Sequence, residues 1–223
     1  MIRTGSLFVT GTDTGVGKTY VARALLEAHV AAGRRAVGMK PIAAGIDTGA
    51  AVNADVAALA EAGNVEAPLA DRNPFAFAAA VAPHLAAAAA GIEIDLAAIE
   101  AAYSRLAMRA DVVIVEGAGG ALVPIDARHD MLDVAQHLRL PVLLVVGIRL
   151  GCLNHALLSE QAVRARGLPL AGWVANVVDP AMLLPEENIA TLQSRLAAPC
   201  IAKVRHGGPV AFPGQWLGGS EPC

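Results

Sequence analysis

Gly11-Thr12-Asp13-Thr14-Gly15-Val16-Gly17-Lys18-Thr19 follows directly on the apolar run Leu7–Thr10 and opens a stretch of helical spacing, Lys18–Ala32. A strand, then a glycine loop, then a helix is the context in which such a loop binds phosphate. Glycines let the backbone curl so that successive N–H groups face inward, and the head of the helix adds positive potential. Lys18 supplies a mobile charge, and the Thr19 hydroxyl suits a magnesium ion bridging terminal phosphates. Five residues rather than the usual four separate Gly11 from Gly17, and Thr12 stands where the common motif has its first glycine. The bland alternative is a glycine-rich turn without a ligand; Gly17-Lys18-Thr19 at a strand-to-helix junction argues against it.

Outward from the loop, Val21, Leu25, Leu26 and Val30 recur at helical spacing, and Gly33 is a plausible C-terminal stop. Short apolar runs at Leu7–Thr10, Ala36–Met39, Val112–Val115, Val142–Val146 and Gly172–Val177 alternate with helix-compatible stretches. This predicts an α/β fold. Val112–Val115 and Val142–Val146 are apolar without alternation, as central parallel strands covered on both faces should be. With the loop, the pattern predicts a single-domain P-loop NTPase fold, a mostly parallel sheet with helices on both faces. At 223 residues the chain suits one well-covered core. We place the domain at residues 1–204 and read residues 205–223, rich in Gly and Pro, as a loose tail.

Hydrophobic residues make up 55% and charged residues 17%, a balance that excludes disorder. The most lipid-like stretch, Phe75 to Ile92, is mainly Ala broken by Pro83 and His84, whereas a span needs ~20 strongly apolar residues. Met1 to Thr10 lacks the layout of a secretory signal, so a cytoplasmic location is expected. Cys152, Cys200 and Cys223 are far apart and read as reduced thiols, and the six histidines show no metal-like spacing. Net charge is −3, with Lys and Arg scattered, which points to a small-molecule partner and away from nucleic acid or membrane.

Chemistry must come from other strand ends. Lys40 follows the second apolar run, where a cation would face the phosphate crevice; a solvated surface lysine is the simpler reading of that residue alone. Glu116 ends a buried strand in Val115-Glu116-Gly117-Ala118-Gly119-Gly120 and reads as a metal carboxylate, with a hydrogen-bonded turn residue as the alternative. Asp55 precedes a helix-compatible segment and suits a helix cap. Asn176 ends the last apolar run, where its amide suits either a purine edge or an ordinary turn.

Taken with Lys40-Pro41, Leu150-Gly151-Cys152-Leu153-Asn154-His155 and Gly172-Trp173-Val174-Ala175-Asn176, in this order, the loop and the Glu116 segment resemble the dethiobiotin synthetase family over roughly Ser6 to Ala202. The five-residue loop spacing is the one this family uses. The resemblance implies an ATP-dependent ligase of biotin synthesis: CO2 or bicarbonate adds to an amine of 7,8-diaminopelargonate, ATP phosphorylates the carbamate, and the second amine closes the ureido ring. It implies phosphate and nucleotide contacts from Gly15, Val16, Gly17, Lys18, Thr19, Tyr20, Gly117, Ala118 and Gly119. Thr19, Asp55 and Glu116 would serve Mg2+, Lys40 and Lys18 the reaction itself, Thr14 and Lys40 the substrate, and Asn176 the adenine. A homodimer is implied, in which Gly151, Cys152, Leu153 and Asn154 reach the neighbouring subunit's substrate carboxylate.

Three departures stand out. Many members carry Glu where this chain has Gly15, Ser where it has Ala44, and Gly-Glu-Ile-Pro where it reads Ala202-Lys203-Val204-Arg205. No nucleotide contact is therefore carried over to Arg205 or beyond. The rival reading is a switch ATPase of the partition or septum-placement type, which shares the fold; it carries an extra lysine early in the loop, where this chain has Asp13.

Overall fold

The computed structural model describes residues 5–217; Cys223, the start Met1–Thr4 and the last six residues of the expected tail lie outside it. Chain order is β1 (Leu7–Gly11), α1 (Lys18–Ala31), β2 (Ala36–Met39), β3 (Ile42–Ala44), α2 (Ala54–Ala62), α3 (Leu69–Arg72), β4 (Phe75–Phe77) and α4 (Pro83–Ala90). Then come α5 (Leu96–Arg109), β5 (Val112–Glu116), α6 (Met131–His137), β6 (Val142–Ile148), α7 (Cys152–Ala165), β7 (Leu170–Val177), α8 (Pro185–Arg195) and β8 (Cys200–Val204). Six strands form one parallel sheet in the order β2-β5-β1-β6-β7-β8, and β3 with β4 form a separate parallel pair.

The period of two in each strand sends side chains to opposite faces. Leu7 and Val9 of β1, Val112 and Ile114 of β5, and Leu143 and Val145 of β6 join Leu25 and Leu26 of α1 and Leu59 of α2. Phe8, Val113 and Val115 turn the other way, onto Ile99, Ala102 and Leu106 of α5. Leu144 and Val146 meet Cys152 and Ala156 of α7 and Ile189 and Leu192 of α8. Burial on both faces is why these strands read as continuous apolar runs, and truncating Leu25 or Leu26 to Ala would cost about 2–5 kcal/mol.

Three strands went unread in the sequence. β3 and β4 have three residues each and include Ala43, Ala44 and Ala76, too short and small to signal a strand. β8 takes in the divergent Ala202–Val204 and lies at the sheet edge, with Lys203 exposed and 3.1 Å from Glu186. Helix α2 is capped by Asn53, whose side chain accepts from the N–H groups of Asp55 and Val56, so the cap expected at Asp55 is corrected to Asn53. Beyond β8 the described tail holds only a short 3-10 turn, Gly214–Leu217, yet Val210, Phe212 and Trp216 pack against the α1 side of the core. Among the described residues no helix is long and apolar enough to cross a membrane, and Cys152 and Cys200 are free thiols.

Candidate active site

The loop from Thr12 to Gly17 leaves the C-terminal end of β1 and enters α1, with β5 on one side of β1 and β6 on the other. Its base is tied to β6: the Thr12 N–H donates to Val145 O at 3.0 Å, and the Gly147 N–H donates to the Thr12 hydroxyl at 3.3 Å. Gly17 caps α1 at φ 88°, and an added Cβ would stand 2.2 Å from Asn176 Nδ2, so only glycine fits. Among the described residues no side chain caps α1, which leaves its first amides for a ligand. Helices α2, α5 and α6 are instead capped by Asn53, Asp95 and Asp130.

Strand register assembles the charged groups. Val9 of β1 pairs with Glu116, and Met39 of β2 pairs with Val115, so Lys40 and Glu116 emerge side by side next to the loop. Lys40 Nζ donates to Glu116 Oε1 at 2.7 Å and to Asp55 Oδ2, and the Thr19 hydroxyl donates to the same Glu116 Oε1 at 2.8 Å. Lys40 is only 6% exposed, which overturns the surface-lysine reading. Its backbone is held as well: the Lys40 N–H donates to Arg72 O at 2.8 Å, and Asn73 Nδ2 donates to Lys40 O at 2.7 Å.

Burial and charge compete here. Burial lowers the Lys18 ammonium to about 8, against the opposing pull of Glu116. Burial also works against the charge on Lys40, but Glu116 and Asp55 outweigh it and the net shift is upward. For Asp55, burial raises and Lys40 lowers, with a net lowering. Glu116 is pushed up by burial despite Lys40.

Among the described residues Glu116 Oε2 is buried without a hydrogen-bond partner, an acceptor open to a cation. Together with Asp55 and the Thr19 hydroxyl it makes an oxygen donor set of the kind Mg2+ takes when phosphates and waters complete its shell. The residues present fit that ion.

A cavity of about 770 Å³ opens over these groups, lined among others by Thr14, Gly15, Gly17, Lys18, Thr19, Tyr20, Lys40, Ala44, Asp55, Glu116, Ala118 and Gly119. Val16 is in the loop, with its side chain buried towards Gly11 and Gly147. Gly117 packs against Phe8. Asn176 is buried beside the loop rather than in the cavity wall; its Nδ2 donates to Val16 O at 2.8 Å, so one of its donors already props the loop. Gly151, Cys152, Leu153 and Asn154 stand at the head of α7, away from this cavity. Asn73, the wall Ala80–Pro83 and Arg149, which pairs with Asp13, carry no signal in the sequence. These contacts join residues 33 to 136 positions apart, and no local pattern marks them.

The fold and the loop define a P-loop nucleotide-binding protein, and a family model described as an AAA domain matches residues 5–211. Among solved structures, the MinC:MinD cell division complex of Aquifex aeolicus superposes with a TM-score of 0.56 at 13% identity, over 90% of this chain and 81% of that one. The septum site-determining protein MinD with Mg-ADP from Pyrococcus horikoshii gives 0.56 at 15%, over the same shares. At such identity the likeness speaks for the fold alone. Sequence relatives go further: the ATP-dependent dethiobiotin synthetase BioD of Aromatoleum aromaticum is 52% identical over 89% of both chains. That of Nitrosospira multiformis is 54% identical over 87% of this chain and 85% of its own. The chain belongs to the dethiobiotin synthetase family.

Proposed function

We propose that this chain is an ATP-dependent ligase that closes the ureido ring of dethiobiotin in biotin biosynthesis. The observation that carries the reading is the chain of hydrogen bonds from buried Lys40 and part-buried Thr19 to buried Glu116, beside the phosphate loop, in a member of this family. CO2 adds to one amine of 7,8-diaminopelargonate, ATP phosphorylates the carbamate to a mixed anhydride, and the second amine displaces phosphate to close the ring. Negative charge builds on the carbamate oxygens and on the phosphoryl group in flight, and fixed cations in a low-dielectric site stabilise it as it develops.

Lys18 and the amides from Gly15 to Tyr20 hold the phosphates, with Gly117, Ala118 and Gly119 lying against the nucleotide. Lys40 bridges carbamate and γ-phosphate. Thr19, Asp55 and Glu116 hold Mg2+, which when bound neutralises charge on the terminal phosphates. Thr14 positions the diamine. Asn176 contacts adenine through its remaining amide capacity while its Nδ2 keeps Val16 in place.

The chain acts as a homodimer in the cytoplasm. Helix α7 begins like α1, with Gly151 in the left-handed region and, among the described residues, no side-chain cap, which suits Gly151–Asn154 to a carboxylate on the neighbouring subunit's substrate.

Labelled bicarbonate tests the reaction. Label should enter dethiobiotin in step with ADP and phosphate release, and only when the diamine is present. ATP hydrolysis with no label in product would overturn the proposal and return the switch-ATPase reading, which the sequence relatives do not favour.

A further inference from the structure

We propose that Arg149 is a positioning residue that ties the outer half of the phosphate loop to the head of α7 through Asp13; this rests on the function proposed above. Arg149 directly follows β6, and its Nη2 reaches Asp13 Oδ2. The other oxygen of that carboxylate accepts the Thr14 N–H at 2.7 Å, and the Asp13 carbonyl accepts Lys18 Nζ at 2.9 Å. One residue thus gathers the arginine, the residue assigned to the diamine and the lysine assigned to phosphate. The Thr12 bonds to β6 fix only the start of the loop, so Arg149 restrains the part they leave, Asp13 and Thr14.

On its other side, Arg149 O accepts the Cys152 N–H at 3.0 Å, closing the turn that carries Leu150, 93% exposed, and Gly151. A shift of Arg149 would therefore move the loop and the segment Gly151–Asn154 together. The Arg149 and Asp13 side chains are 39% and 45% exposed, and an ion pair that open adds little to folding stability. Its effect is expected in alignment, where a small misplacement of reacting groups is costly.

The test is steady-state kinetics of the full chain with diamine, bicarbonate and Mg-ATP, for wild type, Arg149→Gln, Asp13→Asn, the double variant and Arg149→Lys. Each single substitution should lower kcat/KM for the diamine about tenfold, the double should be no worse than either single, and Arg149→Lys should recover most of the loss. Thermal midpoint and Mg-ADP affinity of Arg149→Gln should stay near wild type, which a merely structural role would not allow. Unchanged kcat/KM in Arg149→Gln, multiplying losses in the double variant, or a marked fall in midpoint would each overturn the proposal. A wild-type chain that makes no product from the diamine would instead overturn the function on which it rests.

Discussion

Lys18 stands at the head of α1 and His29 in its last turn; both are buried, yet they are treated oppositely. The helix dipole favours a cation at the C-terminal end and disfavours one at the N-terminal end. The surroundings reverse that preference. Burial lowers Lys18 only to about 8, because Glu116, Asp55 and Asp13 oppose it, and it remains mostly charged at neutral pH. Burial, with Arg34 adding repulsion, lowers His29 to about 4, and among the described residues neither ring nitrogen has a hydrogen-bond partner. A buried cation is kept where carboxylates from β5 and α2 face it and a ligand is to be bound; elsewhere on the same helix the group is held neutral.

The largest effect expected from disturbing the charged end comes from Lys40→Ala. Turnover should fall on the order of 10²–10³-fold, the range for loss of one fixed stabiliser of transition-state charge, while Mg-ADP binding largely survives through Lys18 and the loop amides. Unchanged turnover in the folded variant would remove Lys40 from the mechanism.

Next is the neutral end. His29 takes up its proton more readily in the unfolded chain, so stability is fully present above about pH 6.5 and is lost as the pH falls towards about 4. The loss should be on the order of 3 kcal/mol, and His29→Phe should flatten that part of a pH series of urea melts. A slope that persists in the variant would assign it to other groups.

Asn176→Ala should weaken Mg-ADP binding about tenfold, through loss of a buried hydrogen bond to Val16 O, and should lower the preference for ATP over GTP. Equal preference before and after substitution would reject the base contact. The smallest effect belongs to the exposed middle of the same helix. Arg23 and Glu27 are 3.5 Å apart in solvent, and Glu27→Ala should change stability by less than about 0.5 kcal/mol in a thermal melt.

What could be read from the sequence follows from how local each signal is. β1, β2, β5, β6 and β7 announced themselves because strands covered on both faces are continuously apolar, and the glycine loop because its spacing and context are local. Glu116 was legible as a lone carboxylate ending such a strand. Lys40 was legible as a cation near the crevice but not as a buried one, since a lysine shows its burial only through partners on β5 and α2. The cap went to Asn53 because the Asp55 side chain is turned to Lys40, a contact that helix propensity does not encode. Arg149 and Asp13 meet only once β6 is laid beside β1.

Titration of wild type and Glu116→Gln with a non-hydrolysable ATP analogue, with and without Mg2+, tests the charged end of α1 most directly. The buried Glu116 Oε2, unpartnered among the described residues, predicts that Mg2+ tightens binding to wild type at least about tenfold and that the variant loses this gain. Equal affinity with and without Mg2+ in wild type, or an undiminished gain in the variant, would contradict the account.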